Sequence, residues 1–255
     1  MKLWTLTENM PAPALEHEHG LSLFIEAAGT KLLFDFGQTA AFLKNAEKMG
    51  LRLEEAELAV LSHGHFDHGG GMADLLERFP ENEIYVNHYA FGSHHRADGS
   101  YIGLDRSLLG HPRLRMVHQD LELRPGIRLV QCDAAPLDSQ GLTRREGETF
   151  LPEDFRHEQY LWIQEDGKNI LVSGCSHRGA ALLLEYFRPD VLIGGLHCRH
   201  LDPRGPELAA LAEALDRSGA RIITGHCTGL EQYEVLKKRL GDRIQYMSTG
   251  SFLKL

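Results

Sequence analysis

The segment Ser62-His63-Gly64-His65-Phe66-Asp67-His68-Gly69-Gly70-Gly71 sets three imidazoles and a carboxylate within a few residues of one another. Imidazole and carboxylate suit a borderline divalent ion such as zinc, bound at about 2.0–2.2 Å, and two ions about 3.5–4 Å apart would occupy all four side chains. With 15 His in 255 residues, the pattern H-x-H-x-D-H has a chance of roughly 0.003 of arising anywhere in the chain, so histidine richness does not explain it. His63 and His65, two apart in extended chain, project the same way, and Asp67 and His68 on the following turn address a second position. The glycines let backbone come close without a Cβ. A closed structural zinc site would favour several cysteines.

Three more histidines follow strand-like runs through a glycine. Ser173-Gly174-Cys175-Ser176-His177 follows Ile170-Leu171-Val172, Gly194-Gly195-Leu196-His197 follows Val191-Leu192-Ile193, and Thr224-Gly225-His226-Cys227 follows Arg221-Ile222-Ile223. Each alone is equally well explained by a hydrogen-bonded structural histidine. Together with the first cluster they point to one edge at which strand ends deliver metal-binding side chains. His88, His94, His95, His111, His118 and His200 carry no spacing argument and read as core or surface residues, although His94 and His95 could line a pocket. His17 and His19 read as a solvated loop, from which His19 could reach the edge.

The elements that must position these residues alternate in period. Leu21–Glu26 and Lys31–Asp35 read as a β-hairpin around Ala28-Gly29-Thr30, and residues 39–49 carry apolar positions at helical spacing. A strand at 58–62 runs into the histidine cluster, a helix follows from about 71 to 78, and a strand at 83–86 comes next. Residues 91–157 are less regular, with strand-like pieces at 114–117 and 127–130, and read as an insertion shaping a substrate pocket. Strands at 160–163 and 169–172, a helix at 178–187, a strand at 190–193, a helix at 207–217, a strand at 221–224, a helix at 230–240 and a closing strand pair complete the chain. Hairpins and strand-helix units together imply mixed sheets flanked by helices. The fold class expected is therefore α/β, a four-layer αββα sandwich in a single domain spanning 1–255.

Composition narrows the partners. The chain has 42% hydrophobic and 25% charged residues and a formal net charge of −9, which excludes a disordered chain and argues against a nucleic-acid backbone. No run of 18 apolar residues and no signal-type N-terminus is present, so neither a membrane span nor export is expected and a cytoplasmic location follows. Cys132, Cys175, Cys198 and Cys227 form no CxxC pair and read as reduced thiols.

Phe34-Asp35-Phe36-Gly37-Gln38, the H-x-H-x-D-H run, Gly174-Cys175-Ser176-His177, Gly194-Gly195-Leu196-His197 and Gly225-His226-Cys227-Thr228-Gly229 resemble the metallo-β-lactamase fold superfamily. More narrowly, they resemble its 7,8-dihydropterin-6-methyl-4-(β-D-ribofuranosyl)aminobenzene-5′-phosphate synthase-like proteins. The resemblance runs from about residue 19 to 229, apart from 91–150. It implies that His63 and His65 bind one metal, that Asp67 and His68 bind a second, and that His226 completes the second. It places Cys175 where a bridging ligand is expected, with His177 as an alternative or additional ligand. His157 stands where the superfamily has a middle histidine, although the subfamily tends to have Asp there. Asp35 is read as a hydrogen-bonding carboxylate beside the site, and His197 as a substrate-binding or supporting residue.

The activity so implied is that of a dinuclear metallohydrolase, or a related lytic or transfer enzyme. A hydroxide bridging the two ions attacks a carbonyl or phosphoryl centre while Asp67 orients it or relays its proton. Zinc suits the donor set best, with iron or manganese as alternatives. The substrate expected is a small anionic molecule, for which Arg96, Arg106, Arg144 and Arg145 are candidate contacts; a homo-oligomer is left open. A secreted β-lactamase fits poorly without an export signal, a glyoxalase-type thioesterase lacks its His-Thr-Pro-Gly-His run, and an oxygen-reducing di-iron enzyme would carry Glu at position 65. The alternative from another class is a metal-bound small-molecule binding or sensing protein with little turnover.

Overall fold

A computed structural model describes residues 1–255. The chain begins with β1 (Lys2–Thr7), β2 (Ser22–Ala27) and β3 (Thr30–Phe34). Ala28 and Gly29 link the last two at φ 47° and 75°, the doubly left-handed turn whose twist matches that of paired strands. Helix α1 (Ala41–Lys48) and strand β4 (Leu58–Val60) follow. The histidine cluster then leads into the short α2 (Phe66–Gly69) and into α3 (Met72–Arg78). Next come β5 (Ile84–Asn87), β6 (Ser93–His95), β7 (Leu114–Val117), β8 (Leu121–Arg124), β9 (Ile127–Val130), β10 (Thr143–Glu146) and β11 (Thr149–Pro152). The last part contains β12 (Tyr160–Glu165), β13 (Lys168–Val172), α4 (Ala180–Phe187), β14 (Val191–Ile193), α5 (Pro206–Ser218), β15 (Arg221–Thr224), α6 (Leu230–Leu240), β16 (Ile244–Tyr246) and β17 (Phe252–Lys254).

Two seven-stranded mixed sheets result, ordered β17-β1-β2-β3-β4-β5-β7 and β16-β15-β14-β13-β12-β9-β8. Strand alternation sorts their side chains. Leu32 and Phe34 on β3 and Leu58 and Val60 on β4 face Ile170 and Val172 on β13 and Ile193 and Ile223 across the sheet interface. Leu33 and Ala59 turn outward onto Phe42 and Ala46 of α1 and Leu75 and Leu76 of α3. On the other side, Leu171, Leu192 and Ile222 meet Leu183 of α4, Leu208 and Leu215 of α5 and Leu236 of α6. Each such aliphatic side chain contributes about 1.5–3 kcal/mol on full burial, and the layers are the expected αββα.

Two features differ from the sequence reading. The segment 91–157 is not one irregular insertion: β7 extends the first sheet, β8 and β9 complete the second, and β6, β10 and β11 make a small sheet of their own. Edge strands bury only one face, as the pattern of β8 shows, so their apolar signal is weak. The closing strands do not pair with one another. β16 joins β15 in the second sheet, whereas β17 pairs with β1, Leu253 opposite Leu3, in the first. No helix is long and apolar enough to cross a membrane.

Candidate metal centre

Strand ends from both sheets meet at one edge, and Asp35 organises the first of them. Immediately beyond β3, its buried carboxylate accepts the Ser62 amide (2.7 Å), the Ser62 hydroxyl (2.7 Å) and His68 Nδ1–H (2.6 Å). Ser62 Oγ, its own proton given to Asp35, accepts His63 Nδ1–H at 2.8 Å. The second sheet anchors its histidines in the same way. His226 donates its amide to Glu8 Oε1 (2.6 Å) and Nδ1–H to Asn9 Oδ1 (2.7 Å), and His177 donates its amide to Glu158 Oε1 (2.7 Å) and Nδ1–H to Gln140 Oε1 (2.9 Å).

With a proton of each ring held on Nδ1, the Nε2 atoms of His63, His68, His177 and His226 are the ones turned toward a metal, on His68 by giving up a second proton. They converge. His68 Nε2 lies 3.1 Å from His226 Nε2 and 3.1 Å from Cys175 Sγ, and His63 Nε2 lies 3.1 Å from His65 Nδ1. Each contact is a hydrogen bond while His68 Nε2, His65 Nδ1 or the Cys175 thiol carries a proton, and a divalent ion can take the place of that proton. Ligand atoms of His63, Cys175 and His177 lie within 4.8 Å of one another, as do those of His68, Cys175 and His226. The two groups share Cys175. Asp67 Oδ2 stands 3.4 Å from His226 Nε2 and 3.9 Å from His68 Nε2. This buried nitrogen, thiol and carboxylate set fits a borderline divalent ion.

Electrostatics point the same way. Burial opposes a charge on His68, but Asp35 and Asp67 outweigh it and push its pKa up to about 9. Burial also opposes an ionised Asp67, yet His68 and His226 hold it well below the usual carboxylate range. The site therefore favours positive charge between them. Burial, reinforced by neighbouring imidazoles, holds His63, His65 and His177 well below the ordinary histidine value, so these rings are neutral. Burial and the Cys227 thiol push Cys175 up, and a metal would have to displace its proton.

The backbone at this edge is strained. Asp35, Ser176, His197 and His226 adopt φ of 59°, 58°, 45° and 51°, a left-handed conformation costing about 1–2 kcal/mol per non-glycine residue. Such residues concentrate at functional sites. A cavity of about 130 Å³ opens onto Asp67, Cys175, His177 and His226, with His197 and Arg96 on its wall.

Seven of the eight sequence candidates for ligation gather here; His157 stands aside. Its Nδ1 accepts the Gly64 amide at 3.0 Å, and it groups with His94 and Glu153 instead. Asp35 is a hydrogen-bonding hub, and His197 packs 4.2 Å from the His177 ring without joining a ligand group. Burial, then His200 and His226, lower its pKa to about 4. His19, read as a solvated loop residue, does reach the edge. Asn9 Nδ2 donates to its Nδ1 at 3.0 Å, which leaves Nε2–H facing Asp67 Oδ2 at 3.3 Å. Of the arginines, Arg96 lines the cavity, while Arg144 pairs with Asp154 at 3.2 Å, Arg145 donates to the Gly147 carbonyl and Arg106 lines a separate pocket. Neither His94 nor His95 lines the cavity. Glu8, Asn9, Gln140 and Glu158 were not foreseen, because each is a lone polar residue far in sequence from the histidine it holds.

Residues 16–226 match the Metallo-beta-lactamase superfamily. Over its full length the chain is 24% identical to the 7,8-dihydropterin-6-methyl-4-(beta-D-ribofuranosyl)-aminobenzene-5′-phosphate synthase of Methanocaldococcus jannaschii, covering 96% of that protein. It is 25% identical to an uncharacterized protein of the same organism, over 89% of this chain and 90% of the other. Among solved structures, Tm1679, described as a metal-dependent hydrolase of the beta-lactamase superfamily, superposes with a TM-score of 0.84 at 23% identity, covering 100% of this chain and 99% of that one. Zn(2+)-bound PqqB from Methylobacterium extorquens superposes with a TM-score of 0.63 at 14% identity, each chain covered completely.

Proposed function

The chain belongs to the metallo-β-lactamase superfamily, and from that premise we propose that it is a dinuclear metal-dependent hydrolase acting on a small anionic molecule. The observation that carries this reading is the sharing of Cys175 by two groups of buried ligand atoms. His63 Nε2, His65 Nδ1 and His177 Nε2 would hold a first ion; Asp67, His68 Nε2 and His226 Nε2 would hold a second; the Cys175 thiolate would join them. Zinc suits the donors best, with iron or manganese as alternatives.

Two divalent ions, when bound, supply Lewis acidity and bring the pKa of a water toward neutrality. The chain's own residues do the rest. Asp67, ionised and facing the cavity, would accept a hydrogen bond from the attacking water and orient it. Arg96, in no ion pair, offers a guanidinium to a carboxylate or phosphate of the substrate. Asp35, Asn9 and Gln140 keep the histidine tautomers fixed, so that little reorganisation accompanies binding. Similarity to a protein named as the synthase of a phosphorylated dihydropterin compound supports an anionic substrate and leaves a related transfer reaction as the alternative to hydrolysis.

The test is metal content together with turnover. Protein loaded with zinc is expected to hold two ions per chain and to hydrolyse at least one member of a phosphodiester, thioester and lactone panel, and H65A and D67A to lose both metal and rate. Full activity in metal-free protein would overturn the reading. Tight ligand binding without turnover would favour a sensing protein.

A further inference from the structure

Behind the metal centre lies a second buried cluster made by His94, Glu153 and His157, exposed by 3%, 3% and 0%. Glu153 Oε1 is pinned by the amides of Asp154 (3.1 Å) and Phe155 (3.2 Å), and Oε2 accepts His94 Nδ1–H at 2.8 Å. The His94 and His157 rings pack 3.9 Å apart. His157 Nδ1 accepts the amide of Gly64, the residue between His63 and His65. A Cβ on Gly64 would overlap the Ala90 carbonyl, so this peptide is held between Ala90 on one side and His157 on the other.

The ligand atoms of the three residues are close enough to suggest a third metal position, but the protons oppose it. Because His157 accepts at Nδ1, its ring proton sits on Nε2, 3.8 Å from Glu153 Oε1, and no lone pair remains there for an ion. His94 is protonated on Nδ1 and presents a lone pair at Nε2, which is buried without a partner. His65 is complementary. Once its Nδ1 is given to a metal, its proton lies on Nε2, also buried without a partner; the His94 ring packs edge-on against the His65 ring at 5.8 Å between centroids, in contact with it and not hydrogen-bonded to it.

We propose that Glu153, His94 and His157 form a buttress that positions the first pair of ligands: His157 fixes the Gly64 peptide between His63 and His65, and Glu153, by holding the His94 proton on Nδ1, leaves an unprotonated Nε2 on the ring packed against His65, which favours the Nδ1-ligating tautomer of His65. The proposal rests on His63 and His65 being ligands. None of the three touches substrate or metal; they act through His63 and His65.

The test uses zinc-loaded full-length protein, chelator competition for the affinity of each ion, and the visible spectrum of the cobalt-substituted form. E153Q is nearly isosteric, and its amide, donating to His94 Nδ1, would force the His94 proton onto Nε2, reversing the polarity of the ring packed against His65. E153Q and H157L are expected to weaken the first ion by about 10- to 100-fold and to change the cobalt spectrum, leaving two ions per chain and the second ion unaffected. H157N, whose Oδ1 can accept the Gly64 amide from the position of Nδ1, restores affinity to within a few-fold. Should H157L fail to fold, E153Q and H157N carry the comparison. Unchanged first-ion affinity in E153Q, or a third ion in the wild type that H157N or E153Q loses, overturns the proposal. Wild-type protein whose metal content equals that of H65A instead overturns the ligand assignment beneath it.

Discussion

Asp35 touches both halves of the histidine cluster at once, accepting from Ser62, which holds His63, and directly from His68. Asp35→Asn is therefore a sharp test. An amide nitrogen in place of Oδ2 would face the Ser62 hydroxyl and His68 Nδ1 with a donor where both require an acceptor. His68 would have to move its proton to Nε2, the atom turned toward Cys175 and His226. D35N is expected to weaken metal binding by about 10- to 100-fold, read by chelator competition; unaltered affinity would count against the hub. At this scale the ligand-type residues were legible, because H-x-H-x-D-H and the Gly-to-His junctions are local patterns. Their supports were not. His226 is oriented by Glu8 and Asn9, and no local rule connects residues so far apart in sequence.

Elements were legible in proportion to their length and periodicity. The β2–β3 hairpin, α1, α5, α6 and the parallel strands all fall close to where alternation or helical spacing puts them. The four-residue α2 is too short to carry a period, β10 and β11 are short and largely exposed, and the pairing of β10 with the buried three-residue β6, some fifty residues earlier, is encoded by no local pattern. The hairpin offers a prediction independent of the metal. Ala28 sits at φ 47°, a conformation that an L-residue with a Cβ adopts at a cost of about 1–2 kcal/mol and that Asn tolerates well. Ala28→Asn, keeping the amide that donates to Glu165 Oε1 at 2.9 Å, is expected to raise stability by about 1 kcal/mol in urea unfolding. Metal content should not change, since the turn lies outside both ligand groups. A destabilised A28N would show that the turn is held by something other than its backbone geometry.

For the whole molecule, the site joins the two sheets: His63, His65, Asp67 and His68 follow β4 of the first, and Cys175, His177 and His226 follow β13 and β15 of the second. An ion held by both groups links the halves, and its binding energy adds to folding stability, about 4 kcal/mol when free ion exceeds its Kd a thousandfold. The pH dependence separates this term from the protein's own. In metal-free chain, burial holds His63, His65, His157 and His177 well below the ordinary value of 6.5, so below that pH the unfolded state binds more protons. Stability then falls on acidification by about 1.4 kcal/mol per pH unit for each such ring. His68 has the opposite sign: its pKa, up to about 9, makes a contribution fully present below 6.5 and lost as pH rises toward 9. Metal-free protein should accordingly be most stable near pH 6.5 in urea unfolding at pH 5, 6.5 and 9. In loaded protein, the alkaline decline should vanish, because an ion replaces the proton on His68, and the acid decline should steepen, because protons compete for every imidazole ligand. An alkaline decline that persists unchanged after loading would mean that His68 Nε2 does not meet the metal.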